Sequence, residues 1–338
     1  MQIIKLFLKG AVIGVANIIP GVSGGTMALA LGIYERLIAA IHNVSFRTLK
    51  SCFGLLKLNK NAWDDFWTEM KRIDAFFLTE IGGGAFLAII ALANVMTYLL
   101  DNQHDPTYGF FFGLVAVSAW VPFKLIKKHT VTGVLIALIA LGGVVMLSNT
   151  MSGETMVQKE QKKYEIKMAK KLAQEEHSQL SRVKHSPFHL MLMFIAGAVA
   201  ISAMILPGIS GSFILLLMGA YFELLKAITY RDFLLLLVFA LGCIIGILLF
   251  TRFLNLLLKK WHDQTMYFLL GLVIGSLWAI WPFKSSITIG KEKIYFTNQL
   301  PYSWGGSEML TIGSMVLGGT IVALFIWLEN KQRLQKNS

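Results

Sequence analysis

Ten apolar runs fill most of the chain: Ile3 to Ile19, Thr26 to Ile41, Ala75 to Leu100, Tyr108 to Ile126, Val131 to Leu147, His189 to Leu206, Ser212 to Ile228, Asp232 to Leu258, Met266 to Phe283 and Met309 to Leu328. A helix needs about 20 apolar residues to cross a bilayer, and the longer runs meet that need. Only 15% of the residues are charged, where soluble domains carry about 25%. An all-α integral membrane protein is expected. The surplus of 31 Lys and Arg over 19 Asp and Glu reads as loop charge that orients spans, not as a nucleic-acid surface. Cys52 and Cys243 stand far apart without metal spacing, so no disulfide framework, metal or cofactor is expected, and both read as packing residues. No cleavage site follows the first run, which is kept as part of the fold.

The first, second, sixth and seventh runs fall short of a span. Each pair is joined through a break, Pro20-Gly21-Val22-Ser23-Gly24-Gly25-Thr26 in one case and Pro207-Gly208-Ile209-Ser210-Gly211-Ser212 in the other. Each pair therefore reads as two half-helices, re-entrant or spanning twice. Irregular backbone at membrane depth persists only where protein or a water-filled cavity covers it. The breaks are the first places to look for a site.

Positive loop charge sets direction. Lys5, Lys9, Arg47, Lys50, Lys57, Lys60, Lys71 and Arg72 place the N-terminus and Asn43 to Arg72 in the cytoplasm. Lys124, Lys127, Lys128, Lys259, Lys260 and the C-terminal Lys331, Arg333 and Lys336 also come out inside. Two outside loops run against the rule: Ser148 to Pro187, with eight basic and five acidic residues, and the loop holding Lys284, Lys291 and Lys293. Within Asn43 to Arg72, Phe46, Leu49, Phe53, Leu56, Trp63, Phe66 and Trp67 alternate with basic residues, as in helices that lie on the inner leaflet; a solvated loop is the plainer reading. The Lys/Glu/Gln run of Ser148 to Pro187 predicts an exposed helix.

An internal repeat organises these runs. Gly10-Ala11, Pro20-Gly21, Ser23-Gly24, Gly32, Tyr34 and Ile41 recur at one offset as Gly197-Ala198, Pro207-Gly208, Ser210-Gly211, Gly219, Tyr221 and Ile228. A second block, at a shorter offset, matches Asp74, Gly84, His104-Asp105, Gly113 and Trp120 to Asp232, Gly242, His262-Asp263, Gly271 and Trp278. Leu141-Gly142-Gly143 and Leu317-Gly318-Gly319 extend it weakly. The expected plan is two inverted-topology repeats, each a broken or re-entrant hairpin plus three transmembrane helices, the plan of secondary transporters. Residues 1–147 form the first repeat with its insertion at 43–72, 148–187 an extracytoplasmic loop, 188–330 the second repeat and 331–338 a cytoplasmic tail.

At each break proline ends the incoming half-helix, and the outgoing one begins with unpaired backbone N–H groups that favour a phosphate or carboxylate. The expected anion seat is Ser23, Gly24, Gly25 and Thr26 with Ser210, Gly211 and Ser212; the competing reading is close helix packing by small residues. Charges within apolar runs come next, because they need a partner or a cavity. Arg252 reads as a phosphate partner, as an ion pair with Glu80 of similar depth, or as a snorkelling side chain. Glu35, Glu80 and Glu223 are gating or proton-linked candidates, and Arg36 is placed to meet an anionic headgroup; plain helix-end charge competes for Glu35 and Glu223. His104-Asp105 and His262-Asp263 read as turn and capping residues before pH sensors, and the Trp120, Trp278 and Trp281 clusters as interfacial anchors. No nucleotide-binding motif points to ATP-driven transport by this chain alone.

Gly14-Val15-Ala16-Asn17-Ile18-Ile19-Pro20-Gly21-Val22-Ser23-Gly24-Gly25-Thr26, continuing to Gly32-Ile33-Tyr34-Glu35-Arg36, closely resembles the N-terminal signature of the polyprenyl-phosphate transporter (PopT) family. The resemblance covers essentially the whole chain, and the second copy is similar to the family's looser repeat. Asn17 departs from the acidic residue common there. The resemblance implies translocation of undecaprenyl phosphate from the outer to the inner leaflet of the bacterial cytoplasmic membrane, for reuse in envelope synthesis. Its partners would be that lipid, membrane lipids and a coupling proton or cation. The headgroup would sit between the two Ser-Gly loops while the halves rock. The rivals are a carrier of another small anion, an uncoupled scramblase, and a polyprenyl-phosphate-processing membrane enzyme, for which the seven scattered histidines make a poor catalytic cluster.

Overall fold

The computed structural model describes residues 2–18, 22–57, 59–149, 185–289, 292–301 and 303–337. Pro20-Gly21 of the first break and most of the helix expected in the polar loop lie outside the described residues. The first half comprises α1 (Gln2–Ile18), α2 (Gly24–Ala30), α3 (Tyr34–Asn43), α4 (Phe46–Gly54), α5 (Lys60–Arg72), α6 (Ala75–Asn102), α7 (His104–Ser118), α8 (Trp120–Leu125) and α9 (Val131–Asn149). The second comprises α10 (Pro187–Ile205), α11 (Gly211–Leu217), α12 (Tyr221–Tyr230), α13 (Phe233–Lys260), α14 (His262–Ala279), the antiparallel strands β1 (Lys284–Ile289) and β2 (Glu292–Asn298), and α15 (Gly306–Asn337). Among the described residues six helices are long and apolar enough to cross a membrane: α6, α7 with α8, α9, α10, α13 and α15. The protein is an all-α, multi-pass membrane protein with one small hairpin of sheet.

Three readings of the short runs need correction. The second run is not one half-helix: α2 and α3 are bent by 117° at Gly32, whose φ of 66° is costly for a side chain with a Cβ. The seventh run breaks likewise at Gly219 into α11 and α12. The sixth run is no half-helix either, since α10 gains Pro187 and Phe188 behind the Ser186 cap and reaches 19 residues, enough to cross. The loop expected around Lys284 and Lys293 instead contains β1 and β2, paired antiparallel, with alternating residues such as Ser286-Ile287-Thr288-Ile289 favouring extended chain.

Lipid offers no hydrophobic drive between helices, so they associate through small residues that let backbones touch. A Cβ on Gly84 would collide with the carbonyl of Phe7, and one on Gly10 with Ile81; the matching residues collide in the second half, Gly242 with Phe194 and Gly197 with Phe239. Thus α1 packs along α6 as α10 packs along α13. The last helices exchange partners: α7 packs on α15, and α14 on α9. Gly113 meets Met315 where Gly271 meets Ala137, so Met315 corresponds to Ala137, two residues off the register of the Leu141-Gly142-Gly143 match. Outward faces stay apolar, as at Val131, Leu135 and Ile139 of α9 and Phe233, Leu237 and Ile244 of α13.

The insertion at 43–72 forms two amphipathic helices, with Phe46, Phe53, Leu56 and Trp63 exposed. Buried Glu69 fastens them: it accepts from Thr48 Oγ1 at 2.6 Å and from Arg72 Nη2 at 2.6 Å and Nε at 2.8 Å. The Arg72 hydrogen bond, backed by Thr48 and Arg47, holds its carboxyl at about 2 against the cost of burial. Cys52 is exposed, so it is not a packing residue.

Candidate functional site

The two breaks meet. Ser23 Oγ lies 3.1 Å from the carbonyl of Leu206 and 3.2 Å from that of Met204, while the amide of Gly208 donates to Thr26 Oγ1 at 2.9 Å. Tyr34 OH donates to the carbonyl of Ile205 at 3.2 Å. Gly25 has no room for a Cβ, because the Ile205 carbonyl occupies that place. The tip of the first hairpin therefore plugs into the bend of the second half. Gly208, at φ 82°, turns the chain tightly enough to receive it.

At the first bend, the donors expected to hold an anion are already used. The amide of Gly24 donates to Asn17 Oδ1 at 3.0 Å, that of Gly25 to Ser23 Oγ at 3.2 Å, and that of Thr26 to the Ser23 carbonyl at 3.0 Å. Ser23 and Thr26 are 3% and 1% exposed. The sequence did not mark Asn17 as the cap that closes this bend; its place seven residues before Gly24, on the facing helix, was the available signal.

The second bend is open. Ser210 starts α11 without a side-chain cap, its Oγ is 2.9 Å from Ser212 Oγ, and Ser212 is exposed. Gly211 and Ser212 border a cavity of about 320 Å³ whose other walls include Ala200, Met204, Leu215 and Tyr221. The repeat register sets Met204 at the place of Asn17, and a thioether offers the amide of Gly211 no comparable acceptor. A polar mouth over an apolar slot suits an amphipathic ligand.

The charged candidates separate. Arg36 is engaged: Nε donates to Asp74 Oδ2 at 2.7 Å, Nη2 donates to Oδ1 at 3.1 Å, and the guanidinium lies 4.1 Å from the Phe77 ring centre. It ties α3 to the start of α6 rather than standing free for a headgroup. Glu35 and Glu223 each face a histidine, His262 at 3.4 Å and His189 at 3.5 Å. Among the described residues Glu80 and Arg252 form no ion pair, with each other or with anything else. Arg252 instead lines a second cavity, with His42 and Lys259. Asp263 secures the turn before α9 by accepting from the amides of Lys127 and Lys128, each at 3.0 Å. Among the described residues no cluster of His, Cys, Asp and Glu has metal-holding geometry.

No solved structure matches the chain significantly. It is 36% identical over 290 residues to the polyprenyl-phosphate transporter of Vibrio cholerae serotype O1, covering 85% of this chain and 80% of that one. It is 31% identical over 291 residues to the polyprenyl-phosphate transporter of Staphylococcus aureus, covering 81% and 85%. Both names denote transport, not catalysis. Two joined helical bends inside a multi-pass bundle, together with a family match over residues 13–295, lead to one conclusion: the chain belongs to the undecaprenyl phosphate translocase-like family.

Proposed function

We propose that the protein carries undecaprenyl phosphate from the outer to the inner leaflet of the bacterial cytoplasmic membrane by alternating access, with both termini cytoplasmic. The observation that carries this reading is the inequality of two bends with matching sequences. The first is sealed into the main core, and the second borders an open, largely apolar cavity. A separate small core, including Met193, Ala200, Leu215 and Leu235, underlies the second hairpin. A transporter caught on one side of its cycle has this shape, because equivalent halves must occupy different positions in each end state.

Inverted repeats follow from the same reading. Helix α9 returns from the α7–α8 span through the short turn at 126–130 and packs parallel to α14, since Gly133 meets Tyr267 and Ala137 meets Gly271. Helices α7 and α14, which carry matching blocks, then run in opposite directions. Exchange of roles would seat α11 and α12 in the core and release α2 and α3. The phosphate binds at Ser210, Gly211 and Ser212 in one state and at Ser23, Gly24, Gly25 and Thr26 in the other. The apolar wall that includes Leu215 and Leu224 favours a lipid over a soluble anion. Glu35, Glu80 and Glu223 are the places for a coupled proton or cation.

The test is reconstitution in liposomes with undecaprenyl phosphate in one leaflet, with and without an imposed pH gradient. Protein-dependent movement is expected, and Ser212→Phe should slow it at least tenfold. Movement no faster than in protein-free vesicles, or untouched by Ser212→Phe, rejects the reading. Competition by inorganic phosphate as strong as by lipid would point instead to a carrier of a small anion.

A further inference from the structure

The second cavity, of about 440 Å³, opens where α3 packs along the last turns of α13, and His42, Arg252, Asn255, Leu256, Lys259 and Lys260 line it. Positions 252, 255 and 259 fall on one helical face, so Arg252, Asn255 and Lys259 project together. Among the described residues no carboxylate lines the cavity. Among the described residues neither Arg252 nor Lys259 has a hydrogen-bond or ion-pair partner, and His42 Nδ1 is buried without one. Lys260 lies 4.7 Å from the Trp261 ring centre, leaving its charge at the rim. Cations held close together repel one another, and an anion relieves that.

Topology alone does not account for this arrangement. Excess Lys at a cytoplasmic helix end needs no other cause than the positive-inside rule, which covers Lys259 and Lys260. Arg252 stands two turns further in, over a roomy cavity, without an ion-paired acid among the described residues. The repeat sharpens the point: the positions matching Arg252, Lys259, Lys260 and His42 are Asn94, Asp101, Asn102 and Thr229. The matching positions in the sequence thus carry no cation and one acid.

We infer that the cavity between α3 and α13 is a one-sided binding site for a lipid phosphomonoester, with Arg252 and Lys259 as the charged contacts and Asn255 and His42 as hydrogen-bonding ones. A monoester carries close to two negative charges near pH 8, so two converging cations favour it over the single charge of a phosphodiester headgroup. As the place where the carried headgroup reaches the inner face, the site rests on the proposed transport reading; as a binding site it stands apart from the Ser-Gly bends.

The test titrates the full-length protein in detergent at pH 8 with dioctanoyl phosphatidic acid, dioctanoyl phosphatidylglycerol and inorganic phosphate. Phosphatidic acid should bind tightest. Arg252→Gln and Lys259→Gln should each weaken it about tenfold with an unchanged melting temperature, and Lys50→Gln, outside the cavity, should leave it alone. Equal binding of phosphatidylglycerol overturns the monoester assignment, and equal binding of inorganic phosphate overturns the lipid one. Wild-type affinity in both cavity variants, or equal loss in all three, overturns the site. If undecaprenyl phosphate fails to move in liposomes while Arg252→Gln still loses phosphatidic acid, the transport reading falls and the site stands. If the lipid moves while both cavity variants bind phosphatidic acid normally, the site falls and the transport reading stands.

Discussion

At the first bend the amide of Gly24 is held by Asn17 and the hydroxyl of Ser23 by the backbone of the opposite half; at the second, Ser212 is exposed, and Met204 stands where Asn17 would be. Matching Ser-Gly sequences thus end in different surroundings, one buried against the opposite half and one exposed at a cavity. A helix N-terminus presents free N–H groups whatever surrounds it. Whether those groups can meet a ligand depends on which acceptors the rest of the chain supplies. In this structure the same motif is a structural joint in one half and an open bend bordering a cavity in the other.

The largest test of that difference is steric. Gly25→Leu would drive a side chain into the Ile205 carbonyl and should cost about 3 kcal/mol or prevent folding. Ser212→Leu, facing the cavity, should leave the fold intact while slowing transport. Denaturation in detergent beside a liposome assay separates them, and equal destabilisation would erase the contrast. Next comes hydrogen bonding: Ser23→Ala strips a buried joint of its hydroxyl and should cost about 1–3 kcal/mol, where Ser210→Ala should stay within about 0.5 kcal/mol. A finer test transfers the cap. Asn17→Ala should cost about 1 kcal/mol, and Met204→Asn should close the second bend and slow transport several-fold; faster transport in Met204→Asn would mean that the open amide is not the seat.

The smallest expected effect is with pH. Neither bend holds an ionisable side chain, so the gap between Ser23→Ala and Ser210→Ala should be flat from pH 5 to 9. A slope will come from elsewhere: burial pushes the Lys284 ammonium, which donates to the Ala279 carbonyl at 2.7 Å, down to about 8 from 10.5. Between those values the unfolded chain holds the extra proton. Stability should therefore rise as pH climbs from about 8 towards 10.5 and show no Lys284 slope below 8. Melting curves of Lys284→Met should lack that rise.

Much of the fold was legible because lipid imposes few solutions. Runs such as Ala75 to Leu100 and Asp232 to Leu258 are read as spans by length alone, and α6 and α13 occupy them. The glycines of the repeat announced where backbones touch. Less legible were the second kinks at Gly32 and Gly219: a single glycine in an apolar run is common in membrane helices, and only its positive φ reveals a break. At the candidate site, Ser23 to Thr26 and Ser210 to Ser212 could be singled out. The Asn17 cap and the pairing of Arg36 with Asp74 could not, since both partners become neighbours only on folding.

By itself the sequence determined that this chain lives in a bilayer, that it is built twice from one pattern, and that each copy carries a Ser-Gly bend flanked by glycines. Those are statements about local chemistry and periodicity, which neighbours along the chain suffice to define. Tertiary structure decided the rest: that the last helices exchange partners, that Ser23 reaches the carbonyl of Leu206, and that Arg252 and Lys259 share a cavity with His42. A hydrogen bond or a focused charge depends on distances of a few ångströms between segments far apart in sequence, and only packing sets those distances.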